Sequence, residues 1–243
     1  MTSILDAPRA FAHRGLWSPH GPPENSIGAF QAAVSAGFGI EMDVQLSCDG
    51  HPIVFHDPFL DRMTVSSGPV WQRTLADLKG LALNGSDETI PCLEAALHAI
   101  PSGTPLLVEL KRTAASPEMF AAAVLEVLSK RGPEVAVMAF DAEVNAALAK
   151  LAGDRTHGIL SIPRESSGAS AFTARLAEAA TLGAGFAAVW HSDVEIAKAT
   201  TPNLPAFAWT VDSADALSAA APLAQGLIFE HLSPNLVREA MAA

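Results

Sequence analysis

Short apolar runs, in period two or continuous, alternate along this chain with Ala-rich segments of helical period, and the alternation recurs eight times. The runs fall at residues 9–14, 39–46, 105–111, 135–140, 155–161, 185–190, 205–211 and 225–230. The segments between them are helix-like, as in "PEMFAAAVLEVLSKRG", where Pro117 suits a first turn and Gly132 a stop. Strands that return each time through a helical crossover lie parallel, because a parallel pair cannot be joined by a tight turn. Eight such units in 243 residues predict an α/β fold, a (β/α)8 TIM barrel, as one domain over residues 1–243.

One segment breaks the rhythm. "HPIVFHDP", residues 51–58, has the look of a strand but follows the second run after only a "CDG" turn. A connection that short joins antiparallel strands, so residues 51–90 read as an insertion after the second strand, with a short helix near "QRTLADLKG". No internal repeat, low-complexity tract or linker marks a second domain.

The formal net charge of −11 and the absence of a Lys/Arg run exclude nucleic acid as the expected partner, since that affinity rests on neutralising phosphates. Cys48 and Cys92 form neither a disulfide framework nor a metal-finger spacing and read as reduced bystanders. "MTSILDAPRAFAHRG" lacks the charged and apolar regions of a secretory signal, and no stretch reaches the length of a membrane span. A cytoplasmic protein without stable membrane insertion is expected.

The second run, "GIEMDVQL", places Glu41, Asp43 and Gln45 on one face and Met42, Val44 and Leu46 on the other. The apolar face suits the helix layer around a barrel. Carboxylates two residues apart on a strand are roughly 6.5 Å apart at the backbone, within reach of one shared ion. The third run, "PLLVELK", sets Leu107, Glu109 and Lys111 on one face. If both polar faces turn into the barrel mouth, three hard oxygen donors converge, which favours one divalent cation, Mg²⁺ or Ca²⁺, over Zn²⁺. The competing reading is acids that are solvated or paired with neighbours such as Arg14 and Lys111, and spacing alone leaves both open.

A set of ordered blocks resembles the glycerophosphodiester phosphodiesterases, TIM-barrel enzymes dependent on a divalent metal. The blocks are "HRG" at 13–15, "PENS" at 23–26, "EMDVQLSCDGHPIVFHD" at 41–57, "LDRMT" at 60–64, "IPCLEAAL" at 90–97, "VELK" at 108–111 and "FAWTVD" at 207–212. The resemblance implies a hydrolase that cleaves a small-molecule glycerophosphodiester to glycerol 3-phosphate and an alcohol. It implies that Glu41, Asp43 and Glu109 bind the metal and that His13 and His56 are the acid–base pair. Arg14 and Lys111 would contact the phosphodiester, Glu24 and Asn25 would line the mouth, and Trp209 would wall the alcohol group. Attack by the neighbouring glycerol hydroxyl and attack by water are both compatible with the family pattern.

The chain departs from that pattern on two strands. Ala139 stands where the family often has Ser, and Phe229–Glu230 where Thr-Asp is common; both departures are expected to lie off the catalytic set. Two other functions fit parts of the pattern. A lipid-directed phospholipase D or sphingomyelinase D type enzyme would share the His, Glu-x-Asp, His layout but show a basic amphipathic membrane helix, which is not evident. A non-catalytic phosphate-ester-binding barrel would have no need to retain both histidines.

Overall fold

The computed structural model describes residues 3–6 and 9–242. Among the described residues, nine strands form one sheet: β1 (Arg9–Ala12), β2 (Gly39–Leu46), β3 (Pro52–Val54), β4 (Leu106–Leu110), β5 (Val135–Ala139), β6 (His157–Leu160), β7 (Phe186–Trp190), β8 (Ala206–Val211) and β9 (Gly226–Phe229). Eight of them are parallel neighbours in the order β1-β2-β4-β5-β6-β7-β8-β9, and β9 pairs with β1 to close the barrel. The strands lie within one or two residues of the runs legible in the sequence.

β3 is the antiparallel extra strand, paired with β2 from Val44 to Leu46. It runs only to Val54, so His56 lies just beyond the strand. β1 reaches β2 only at Gly39 and Ile40, so the same edge of β2 is open between those residues and Val44. Glu41 and Asp43 lie within that gap. The rest of the insertion packs as a small cluster around Ile53, Leu60, Leu78 and Ile90, with a helix at Leu75–Lys79 closed by a capping box between Thr74 and Asp77.

The outward faces of the strands and the apolar stripes of the helices form the larger core, which includes Met42, Val44 and Leu46 as the alternation requires. Inside the barrel, Phe11, Phe186 and Phe207 are fully buried and stack, with centroids 5.9 Å and 4.5 Å apart. Three glycines make room for them. A Cβ at Gly39 would stand 2.6 Å from Phe11, at Gly158 2.2 Å from Phe186, and at Gly226 2.9 Å from Phe207. Each buried Phe contributes about 1.5–3 kcal/mol. This plug fills the lower barrel, so polar chemistry is confined to the C-terminal ends of the strands, where barrel active sites sit.

Candidate active site

β1 ends at Ala12, and the chain turns sharply through His13, Arg14 and Gly15, with Arg14 at φ 58° and Gly15 at φ 81°. A Cβ on Gly15 would also stand 2.8 Å from the backbone of Ala29, so only glycine fits this turn. The turn aims the Arg14 backbone N–H at Glu41 Oε2, 3.0 Å away. Asn25, itself at φ 56°, donates its backbone N–H to the Arg14 carbonyl at 2.9 Å. At the gap in the edge of β2, the Asn25 side chain replaces a missing strand. Its Oδ1 accepts the Asp43 backbone N–H at 3.2 Å, and its Nδ2 donates to Asp43 Oδ2 at 2.9 Å.

Asp43 and Glu109 are register partners on β2 and β4, and Glu41 is one pleat below, beside Leu107. Oxygens of Glu41, Asp43 and Glu109 come within 4.8 Å of one another, and all three side chains are buried. The three acids converge as a shared ion would require, and Asp43 and Glu109 also pair with Arg14 and Lys111, while none of the three is solvated. Lys111 Nζ lies 2.7 Å from Glu109 and 3.5 Å from Asp43, and Arg14 Nε lies 3.3 Å from Asp43. Two cations face three carboxylates, and Glu41 Oε1 and Asp43 Oδ1 remain buried without a hydrogen-bond partner.

The electrostatics follow. Burial, and then repulsion from Asp43 and Glu109, pushes the Glu41 carboxyl well above its ordinary range. Burial outweighs Lys111 at Glu109 and raises it to about 7. Asp43 goes the other way: burial opposes its charge, but Lys111 and Arg14 together hold it below the usual range. A carboxylate trio that resists full ionisation, with two unsatisfied buried oxygens, fits a hard divalent cation held by oxygen donors.

Each histidine has a carboxylate behind it. His13 Nδ1 lies 2.8 Å from Glu230 Oε2, and His56 Nδ1 lies 2.7 Å from Asp57 Oδ1. An acceptor at Nδ1 fixes the proton there and leaves Nε2 for the cavity side. Burial, aided by Lys111 and Arg14, lowers the His56 pKa, which favours neutral imidazole. Arg62 braces this half of the site with bonds of 2.6 and 2.9 Å to Asp57 and of 2.6 and 2.9 Å to Glu24.

A cavity of about 110 Å³ opens above the trio. His13, Arg14, Glu41, His56, Glu109 and Lys111 line its polar side. Met138, Phe140, Leu160, Trp209 and Ile228 line the other. Trp209 is anchored by its indole N–H on the Ala188 carbonyl at 3.2 Å, and a register shift between Ala208 and Val211 lets both Trp209 and its neighbour Thr210 reach the cavity. Glu24 and Asn25 are buried behind the lining, where Glu24 pairs with Arg14 at 2.9 Å and Asn25 holds Asp43.

Three residues of the constellation lie outside the sequence-derived set. Glu230 was expected off the site but stands directly on His13, because β9 is the neighbour of β1 across the closing edge. Asp57 and Arg62 sit inside blocks recognised as sequence, yet their pairing depends on how the insertion folds back. A carboxylate adjacent to a candidate catalytic imidazole, as in "HD" at 56–57, was the available signal for Asp57, and no local signal pointed to Glu230.

The fold and the mouth together define a TIM barrel with a charged cavity at the C-terminal ends of its strands. The sequence model of the glycerophosphoryl diester phosphodiesterase family matches residues 13–231. The chain belongs to that family. An Oleispira antarctica phosphodiesterase, solved in complex with the product sn-glycerol-3-phosphate, superimposes with a TM-score of 0.84 at 26% identity, covering 100% of both chains. A Thermotoga maritima glycerophosphodiester phosphodiesterase shares the fold, with a TM-score of 0.76 at 22% identity over 97% of this chain and 98% of that one. Among curated sequences, an uncharacterized protein of Mycobacterium tuberculosis is 31% identical over 165 residues, 61% of this chain and 54% of its own length. A glycerophosphodiester phosphodiesterase of Caldanaerobacter subterraneus is 48% identical over 71 residues, 29% of this chain and 28% of its own length. The chain thus matches about half the length of the first of these relatives and less of the second. Among the described residues, no helix is long and apolar enough to cross a membrane.

Proposed function

We propose that this chain hydrolyses glycerophosphodiesters to glycerol 3-phosphate and an alcohol, with one divalent cation, Mg²⁺ or Ca²⁺, held by Glu41, Asp43 and Glu109. The observation that carries the reading is the convergence of these three buried carboxylates beneath one cavity, which Glu41 and Glu109 line together with two carboxylate-backed imidazoles, in a chain of this family. The product seen in the Oleispira phosphodiesterase supports the substrate class.

A phosphodiester is already anionic, so its cleavage requires charge neutralisation, an attacking oxygen relieved of its proton and a protonated leaving group. When bound, the cation supplies a Lewis acid that polarises a non-bridging phosphoryl oxygen. Arg14 and Lys111 face the cavity and would hold the phosphoryl group, the first as a planar donor fork and the second as a point charge. One imidazole takes the proton of the attacking hydroxyl while the other gives a proton to the departing alcohol oxygen. The phosphorus–oxygen bond to that alcohol breaks as the new one forms. Each proton transfer is worth roughly 10² to 10⁴ in rate. Water and the neighbouring glycerol hydroxyl are the two candidate nucleophiles, and appearance of a cyclic phosphate separates them. Trp209 walls the organic part of the ester. Glu24 and Asn25 serve the substrate indirectly, by holding Arg14 and Asp43 in place.

The test is release of glycerol 3-phosphate from a panel of glycerophosphodiesters, with and without EDTA. Turnover is expected only with a divalent ion, and His13→Ala or Glu41→Ala is expected to cost several orders of magnitude. Full turnover in EDTA would exclude the metal site. Cleavage restricted to lipid micelles would move the assignment to a phospholipase D-like enzyme.

A further inference from the structure

Phe140 divides the space beyond the cavity into two grooves of opposite chemistry. One, of about 290 Å³, runs along Glu109, Lys111, Arg112 and Asp141 and is charged. The other, of about 240 Å³, runs over Leu160 and Ile162 toward the helix at Ala169–Thr181, where Ala171, Phe172 and Arg175 face it. Phe140 and Leu160 line both the second groove and the catalytic cavity, so the two spaces adjoin at these side chains.

The second groove contains polar residues whose donors are already committed. Ser161 Oγ donates to the Ile162 carbonyl and Ser167 Oγ to the Pro163 carbonyl, both at 3.1 Å. Arg175 bonds the carbonyls of Leu160, Ala139 and Phe140 at 3.0, 3.2 and 2.5 Å and pairs with Glu178 at 2.7 Å. None of the lining residues is acidic, so a cationic head group would find no counter-charge there. What the groove offers is hydrocarbon: Phe140, Leu160, Phe172 and Ile162, the last 55% exposed although large and apolar.

A cavity of about 110 Å³ is well below the roughly 300–1,000 Å³ of most small-molecule sites, so a diester must extend beyond it. The glycerol hydroxyls need polar partners, which the groove along Glu109, Lys111, Arg112 and Asp141 offers. From this we infer that the alcohol of the diester leaves over Phe140 into the apolar groove, and that the preferred substrates carry an uncharged, hydrocarbon-rich alcohol. This specificity rests on the phosphodiesterase reading and adds to it the class of leaving group.

The experiment measures kcat/KM for glycerol 3-phosphate release from its ethyl, butyl and octyl monoesters, held below their aggregation concentrations, beside the choline ester. Each methylene that enters the groove is expected to raise kcat/KM roughly threefold, so that the octyl ester exceeds the choline ester by tenfold or more. Ile162→Asp and Ala171→Phe alter exposed positions. Both are expected to remove the octyl advantage while leaving the ethyl ester unchanged. Release with a flat series, or an octyl advantage that survives both variants, overturns the groove and leaves the phosphodiesterase reading intact. No release from any ester, and no calorimetric binding of the octyl ester, overturns both.

Discussion

Glu230 holds the Nδ1 of His13 at 2.8 Å, and the two residues are 217 positions apart in the chain, joined only where β9 meets β1 at the closing edge of the barrel. The matching bond on the other histidine, from His56 to Asp57 at 2.7 Å, is between neighbours. The site therefore has one imidazole oriented by barrel closure and one by its own loop.

Removing the first orienting group is expected to damage turnover without damaging binding. Glu230→Ala should lower kcat roughly tenfold to a hundredfold with little change in KM, since the lost quantity is the tautomer and angle of His13. Glu230→Asp, with a shorter reach, should recover part of the loss. Steady-state kinetics on the two variants checks this. A KM effect alone would mean that Glu230 contacts substrate instead.

The second orienting group should leave its mark on acid stability. Burial would raise the Asp57 pKa, but hydrogen bonds from Arg62 and His56 outweigh it and hold the group at about 2. A carboxylate depressed in the folded state contributes stability above its unfolded pKa of about 4, and that contribution is lost as pH falls toward 2. Discounted for the half-exposed Arg62, the contribution is about 1 kcal/mol. Urea unfolding of Arg62→Ala between pH 5 and pH 2 is expected to show a shallower loss across that window than the parent (about pH 4 to 2). An unchanged slope would contradict the assignment.

Asn25 combines a left-handed backbone with two bonds to Asp43, at 3.2 and 2.9 Å. Asn25→Ala should cost about 2–4 kcal/mol, from the strained φ and the orphaned partners together. Asn25→Gly tolerates the φ and should recover only the conformational part. Thermal unfolding of both separates the two contributions. Equal Tm values for the two variants would mean that strain contributes nothing.

Divalent ion should stabilise the fold as well as enable turnover, because it relieves repulsion among Glu41, Asp43 and Glu109. At a hundredfold excess over Kd, linkage gives about 2.7 kcal/mol, or roughly 5–10 °C in Tm for a chain of this size. The shift should vanish in Glu41→Gln/Asp43→Asn. Calorimetric scans with Mg²⁺, Ca²⁺ and EDTA read it directly.

Much of this was legible in the sequence, for physical reasons. Alternation on "GIEMDVQL" fixed which side chains point inward, and the short "CDG" turn fixed β3 as antiparallel. Convergence of Glu109 on Asp43 needed only that β2 and β4 be adjacent and in register, which a barrel guarantees in kind if not in detail. What the sequence concealed depends on closure and on loop conformation. Glu230 reaches His13 only through the β1–β9 pairing, and Arg62 meets Glu24 only because the insertion folds back over the first loop. The gap at the edge of β2, filled by the Asn25 side chain, arises from the short overlap of β1 with β2, which no local pattern encodes.

The most direct measurement is anomalous diffraction from crystals soaked in Mn²⁺, as a stand-in for the harder ions, paired with turnover of the same preparation before and after chelation. The expected result is a single ion bonded to oxygens of Glu41, Asp43 and Glu109, with turnover lost on chelation and regained on adding metal. An ion bound elsewhere, or an empty trio in an enzyme that still releases glycerol 3-phosphate in EDTA, would contradict the account.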